Sequence, residues 1–342
     1  MHRFGRTFLV VLVLALATAT PGCGGDDNEA GGGETTTAAM GPTKVRLAFS
    51  TWNGYLALVV GVKEGFFKNH GADVSYSVIE DPVQRFNAFK AGRLDAIAST
   101  TDTFSRTNAK GIHSVMVLGV DASVGGDGIV SEKKIAKVEQ LKGQKVGVSS
   151  GSVSQWFLAY VLDQHGLSLD DVKQVDMTAG DAGAAFAAGR VPVAVTWQPW
   201  LSRAEKNPNG HVLVDTKTYP DIVTDQVAFQ PDFIKDHPET VKAFIQGYAD
   251  AIDFIKTNET KAFADVKDFL KQKPDEIKAI MTEVPLWTIA ENKKFYGTES
   301  SPGPVYDIFD KASEFWKNIG EIDTPADAKE AIDPSFVNEV GG

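Results

Sequence analysis

The sequence is nearly without cysteine. Cys23 is the only one in 342 residues, so no intramolecular disulfide can form and no CxxC metal or redox site exists. Basic runs are missing as well. Lys and Arg number 34 against 45 Asp and Glu, a formal net charge of −11. Nucleic acid and anionic lipid are gripped by clustered cations, so this charge argues against a nucleic-acid partner and against docking through a basic face. No HExxH, P-loop, GxGxxG or paired-histidine spacing occurs, and no cofactor or metal is expected. One long apolar run is present, "FLVVLVLALA" at 8–17.

That run follows His2, Arg3 and Arg6. A basic start and an apolar stretch too short to span a bilayer comfortably read as an export signal over 1–22. "ATA" at 17–19 would suit ordinary cleavage, whereas "TPGC" at 20–23 resembles a lipobox, with Thr20 where Leu is usual. Lipidation of Cys23 is the expectation. Residues 23–43, rich in Gly, Thr and acid, bury too little apolar surface to order themselves and read as a flexible tether. The chain is thus expected to be exported and lipid-anchored at the outer face of a membrane, in a periplasmic space if there is an outer membrane.

From Lys44 the pattern changes to alternating strands and helices. "KVRLAFS" reads as a strand, 54–71 as a helix ending at Gly71, and "ADVSYSVIE" as a strand. "DPVQRFNAFKAG" has Asp81 as N-cap, Pro82 at the first turn and Val83, Phe86 and Phe89 on one face. "RLDAIAS" follows as a strand, and β-α-β-α-β order predicts a parallel sheet. The order repeats over 145–197, and "AFKAGRLDAIAS" (88–99) matches "AFAAGRVPVAVT" (185–196) in five positions of the corner. From Pro231 on the chain reads as helices that return onto one unit. Two α/β lobes with a cleft between them follow, with ligands expected at the carboxyl ends of the strands.

The loops at those ends hold the candidate chemistry. "GVSSG" (147–151) matches GxSxG between a strand and a helix, which makes a hydrolase with Ser149 as nucleophile the alternative reading. His165, His211 and His237 fall outside the cleft loops, so the base is lacking. The same stretch reads better as a binding element, in which Ser150, Ser152 and Ser154 begin a helix whose free N–H groups accept an oxygen. Trp52, Trp156, Trp197 and Trp200 lie in or beside the loops. Asp102, Asp121, Asp127 and Asp181 lie in them, and Asp225 lies in the return segment "VTDQVAF". No Lys or Arg falls in any of these loops. Acids and indoles without a fixed cation favour ammonium- or guanidinium-like donors on the ligand.

The stretches "TWNGYLALVVGVKEGFFKNHGADV", "AFKAGRLDAIASTTD", "GGDGIVSEKKIAKVEQLKGQKVGVSSGS", "FAAGRVPVAVTWQPW" and "DPSFV" span roughly 44–340 in order. Together they resemble the substrate-binding proteins of ABC importers in the nitrate/sulfonate/taurine group. The resemblance implies a type II periplasmic-binding-protein-like fold, with 44–128 plus 228–342 as lobe 1 and 129–227 as lobe 2. It implies a monomer with no enzymatic activity of its own, partnered by a permease and its ATPase. The ligand would be a small sulfonate, amine or nitrogen compound such as taurine, an aliphatic sulfonate or nitrate. By position, the pocket would draw on Trp52, Tyr55, Thr101, Asp102 and Asp127 from one side. Ser150, Ser152, Ser154, Trp156, Trp197 and Gln198 would come from the other.

Overall fold

Alternation decides the first strand. In β1 (Thr43–Phe49), Val45, Leu47 and Phe49 are buried while Lys44 and Arg46 stay exposed. The structure, a computed structural model, describes residues 41–341. The expected leader, Cys23 and most of the tether lie outside them. The helix expected over 54–71 is two helices, α1 (Leu56–Lys63) and α2 (Phe66–His70). Gly65 separates them at φ 78°, a left-handed conformation that ends a helix at little cost only for glycine. After β2 (Ala72–Val78) comes α3 (Pro82–Lys90), where Asp81 accepts from the Gln84 N–H at 2.9 Å. Its inner face differs from expectation. Pro82, Arg85, Phe86 and Phe89 are buried and Val83 is 56% exposed. At 3.6 residues per turn, a face holding 82, 85, 86 and 89 leaves position 83 outside.

β3 (Ala96–Thr100) runs directly into α4 (Thr101–Ala109), so the expected loop over 99–105 is a strand end and a helix start. Hydroxyls hide this helix in the sequence. Ser105 donates to the Asp102 carbonyl and Thr107 to the Thr103 carbonyl, each at 2.8 Å, a back-bonding that lets Ser and Thr sit in a buried helix. β4 (Val115–Ala122) completes this lobe's first pass. The chain then enters the second lobe with β5 (Asp127–Glu132), β6 (Lys145–Val148), α5 (Val153–Gln164) and β7 (Lys173–Asp176). It continues with α6 (Ala179–Ala187), β8 (Val193–Trp197), α7 (Trp200–Glu205) and β9 (Gly210–Asp215), then returns as β10 (Thr224–Phe229).

The sheet orders are β2-β1-β3-β10-β4 and β7-β6-β8-β5-β9. Each is parallel over its first three strands and antiparallel at the fourth, which corrects the expectation of parallel sheets. The reason is connectivity. β5 and β10 each arrive from the opposite lobe, through the cleft, so they must run against strands that end there. The expected lobe boundaries at 128/129 and 227/228 fall inside these strands; the sheets exchange the chain at 123–126 and 216–223. The two crossings are stitched together. Ser123 N–H bonds the Val223 carbonyl at 3.0 Å, Ser123 Oγ pairs with Thr216 Oγ1 at 2.9 Å, and Gly125 N–H reaches the same Thr216 oxygen at 2.7 Å.

The remaining helices are α8 (Pro231–Asp236), α9 (Pro238–Thr257), α10 (Glu259–Leu270), α11 (Pro274–Ile280), α12 (Ile289–Tyr296), α13 (Pro304–Asn318) and the short α14 (Ala328–Ala331) and α15 (Ser335–Glu339). Here α9 packs on α1 and α2, α10 on α1, and α13 on α4, all in the first lobe. No helix among the described residues is long and apolar enough to cross a membrane. The α9–α2 contact depends on a missing side chain. A Cβ at Gly247 would lie 2.7 Å from the Cα and N of Phe67, and backbone cannot yield as a side-chain tip can. Gly247→Ala is therefore expected to cost about 1–3 kcal/mol, read as a melting temperature lowered by several degrees. An unchanged temperature would show that the two helices part freely.

Candidate ligand site between the lobes

The paired topology puts matching residues at the cleft. Asp127 opens β5 opposite Trp197 at the end of β8, and Asp225 lies near the start of β10 opposite Thr100 at the end of β3. Each lobe thus delivers one carboxylate, by the same strand geometry, to one cavity of about 30 Å³. At roughly 10–15 Å³ per water, that is room for about two waters. Trp52, Tyr55, Ser152 and Trp197 also line it.

Of the residues expected there, Trp52, Tyr55, Asp127, Ser152, Trp197 and Asp225 meet in this cavity. Thr101 and Asp102 sit one layer back, with Thr101 Oγ1 on Thr224 Oγ1 at 2.8 Å and Asp102 Oδ2 accepting from Thr103 at 3.1 Å. Trp156 and Gln198 join the lobes elsewhere. The Trp156 ring packs on Phe315 and Trp316 of α13 at 5.0 and 5.5 Å, and its Nε1 donates to the Ile222 carbonyl at 3.1 Å. Gln198 Nε2 donates to Glu283 at 3.1 Å. Asp181 lies in the first turn of α6, where its Oδ2 accepts from Thr178 at 2.8 Å.

Ser150 and Ser154 do not offer free amides. The Ser150 N–H is bonded to Asp176 at 2.9 Å, the Gly151 N–H to Gln155 at 2.9 Å and the Ser154 N–H to Ser152 Oγ at 3.1 Å. These three amides of the expected oxygen-binding helix start are therefore already bonded within the protein. None of the three downstream histidines is shown bonded to Ser149. His165 is bonded to Glu139 at 2.8 Å and Tyr219 at 3.3 Å, and His211 to Ser131 at 2.9 Å. His237 precedes α9 and packs against Phe233.

One expectation is overturned. The cleft does hold a basic residue, Arg85, buried on the inner face of α3 and lining the cavity. Its Nη1 donates to the Ile79 carbonyl at 2.5 Å, and burial lowers its pKa against the pull of Tyr55, Glu80 and Asp225. The spacing of Arg85 with Phe86 and Phe89 on one helix face is the signal that points to it. Ser50, Ser99, Thr100 and Thr103 also line the cavity without having been expected.

The carboxylates outnumber this cation. Burial, reinforced by Asp127 and Asp102 against the opposing Tyr55 bond and Arg85, pushes Asp225 up to about 8. Burial likewise lifts Asp127 to about 7, opposed by the Ser123 bond and aided by Asp102. Asp121 is held well above the usual carboxylate range by burial and by Asp225, although the Trp52 indole donates to it at 3.1 Å. Burial lifts Asp102 to about 6. Raised carboxylates at a buried cleft mark stored demand for positive charge.

The lobes meet directly around this cavity. Trp197 Nε1 donates to the Thr51 carbonyl at 2.8 Å and Arg106 Nη2 to the Gly151 carbonyl at 2.8 Å. Lys217 pairs with Glu283 at 3.2 Å.

Known proteins share both chain and shape. A Brucella abortus (strain 2308) protein named as a binding protein is 24% identical over 299 residues, covering 84% of this chain and 89% of the relative. The taurine-binding periplasmic protein of Escherichia coli (strain K12) is 30% identical over 128 residues, 36% of this chain and 39% of that protein. The structure of the alkanesulfonate-binding protein SsuA from Xanthomonas axonopodis pv. citri, bound to MOPS, superposes with a TM-score of 0.72. Identity there is 15%, covering 86% of this chain and 99% of that one. The two-lobed architecture is thus the periplasmic binding protein fold. The family described as NMT1/THI5 like matches over residues 52–262, and the chain belongs to that family.

Proposed function

We propose that this chain is the solute-binding component of an ABC import system. Its lobes close on a small solute bearing ammonium- or guanidinium-like donors and present it to a membrane permease, whose ATPase partner supplies the energy. The observation that carries this reading is the pair Asp127 and Asp225, one from each lobe, facing a single buried cavity. A ligand held between these carboxylates meets Ser152 and Trp197 on the opposite wall only when the lobes are together, so it shifts the population toward the closed form. The names of relatives that bind taurine and alkanesulfonates support the transport role. Arg85 leaves room in the reading for a zwitterion whose anionic end meets the guanidinium. Cys23, lipidated, would hold the receptor beside its transporter.

A thermal-shift panel tests the reading with guanidinium, small amines, taurine, alkanesulfonates, nitrate and bicarbonate. Stabilisation follows RT ln(1 + [L]/Kd), so a dose of about 1,000 Kd gives about 4 kcal/mol. A rise of several degrees with cation-bearing solutes is expected. Shifts confined to nitrate or bicarbonate would overturn the reading.

A further inference from the structure

We propose that the solute is a single compact planar cation of guanidinium size and hydrogen-bonding pattern, rather than an amino sulfonate or an amino acid. This rests on the reading above that the site takes positive charge, and it adds size, shape and a donor count.

Size comes first. A cavity of about 30 Å³ suits about two waters, so the smaller the cation, the less the lobes must yield to admit it. Guanidinium has four heavy atoms; taurine has seven and would have to prise apart the Trp197–Thr51 and Arg106–Gly151 contacts that join the lobes.

The donor balance of the wall points the same way. Both indoles that line the cavity have spent their N–H groups on protein, Trp52 on Asp121 and Trp197 on the Thr51 carbonyl. The Tyr55 hydroxyl is spent on Asp225, and the amides of Ser150, Gly151 and Ser154 are taken. Among the described side chains lining the cavity, the buried nitrogen left without a partner is Arg85 Nε. Beside it stand the carboxylates of Asp127 and Asp225, which when ionised only accept, and the hydroxyls of Ser50, Ser99, Thr100 and Ser152, which can accept as well as donate. Such a wall can meet every N–H of a ligand that only donates. A sulfonate would set three acceptor oxygens against the two carboxylates; guanidinium brings N–H groups all round its edge and no acceptor. Carboxylates are matched by that planar fork. Indoles whose N–H groups point elsewhere offer their π-surfaces, which attract flat cations. Among the described residues, no three His, Cys, Asp or Glu side chains are placed to share a metal ion, so the cation that fits is organic.

Isothermal titration calorimetry of the purified protein tests this with guanidinium chloride at millimolar dose or below, each arm matched in NaCl. The other arms are urea, methylammonium, arginine and taurine. Guanidinium is expected to bind at least 100-fold tighter than taurine or arginine. Urea, its neutral counterpart in size and shape, is expected to give no heat. Methylammonium, with fewer donors and no plane, should be at least tenfold weaker. Taurine, arginine or methylammonium binding as tightly as guanidinium would overturn this inference while leaving a cation-binding receptor in place. Urea matching guanidinium would remove the charge requirement and overturn it as well. Binding seen only with alkanesulfonates, nitrate or bicarbonate would overturn both this inference and the reading beneath it.

Discussion

Asp225→Asn is expected to weaken binding of the cationic solute by 100-fold or more and to raise the melting temperature of the ligand-free protein. Both effects have one cause. Asp225 is buried beside Asp121, Asp127 and Asp102, with Arg85 and Tyr55 facing it. Without a cation it is held up to about 8 against an ordinary 3.8. An amide keeps the oxygen that accepts from Tyr55 and drops the charge. Losing one partner of a buried charged pair costs about 2–5 kcal/mol of binding. In the free protein the same change relieves a buried group short of countercharge, a gain of about 1–3 kcal/mol.

The pH dependence follows in sign. A carboxyl raised on folding contributes stability that is fully present below its unfolded value near 3.8 and is lost as pH rises through about 8. Asp127, raised to about 7, adds the same trend. The ligand-free protein should therefore melt higher at pH 5 than at pH 8.5, with a smaller difference in the Asp225→Asn variant. Cation binding should run the other way and strengthen toward pH 8.5, since the site must first shed its protons. Calorimetric scans and titrations over that range decide the matter. A variant that binds as the parent does would remove Asp225 from the site.

Gly54→Ala is expected to damage fold and site together. The turn over Asn53–Tyr55 lies against the Trp52–Asp121 pair. A Cβ at Gly54 would stand 1.8 Å from Asp121 Oδ2 and 2.4 Å from Trp52 Nε1. Either the carboxylate is driven toward Asp225 or the indole leaves the cavity wall. Overpacking of this kind costs about 1–3 kcal/mol or more, and parting a buried carboxylate from its donor adds about 1–3 kcal/mol. A melting temperature lowered by about 5–10 °C and affinity lowered at least tenfold are the expected outcomes. Asp121→Ala in the same chain removes the nearest obstruction, and the pair should recover part of the lost stability, as coupled neighbours do. A Gly54→Ala protein that melts and binds as the parent does would show that the turn adapts.

What could be read in the sequence was local and periodic. The cap at Asp81, the strand alternation in β1 and the repeated helix–glycine–strand corner all depend on near neighbours in the chain. The antiparallel fourth strands could not be read, because their direction is set by which lobe the chain has just left. The α4 helix was masked by hydroxyls that bond their own backbone. Among the cavity-lining residues, Trp52, Tyr55, Asp127 and Asp225 stand at or just beyond strand ends, where the sequence pattern points. The bonding of the Ser150 and Ser154 amides to Asp176 and Ser152 depends on the fold and has no sequence signal. Arg85 was missed because it reaches the cavity from a helix face.

The stitched crossing has a consequence for timing. Asp127 belongs to the second sheet, yet its N–H is bonded to Ser123 Oγ and its carbonyl accepts from the Thr216 N–H, both at 3.0 Å. A rotating body moves its atoms in proportion to their distance from the axis. Under the proposed closing motion Asp127 is nearly a pivot, while Ser152 and Trp197 swing. An opened receptor would therefore keep both carboxylates, with Trp52 and Tyr55, standing together as a landing place. Arrival of the solute would be governed by that standing half, and its escape by how often the swinging wall lifts.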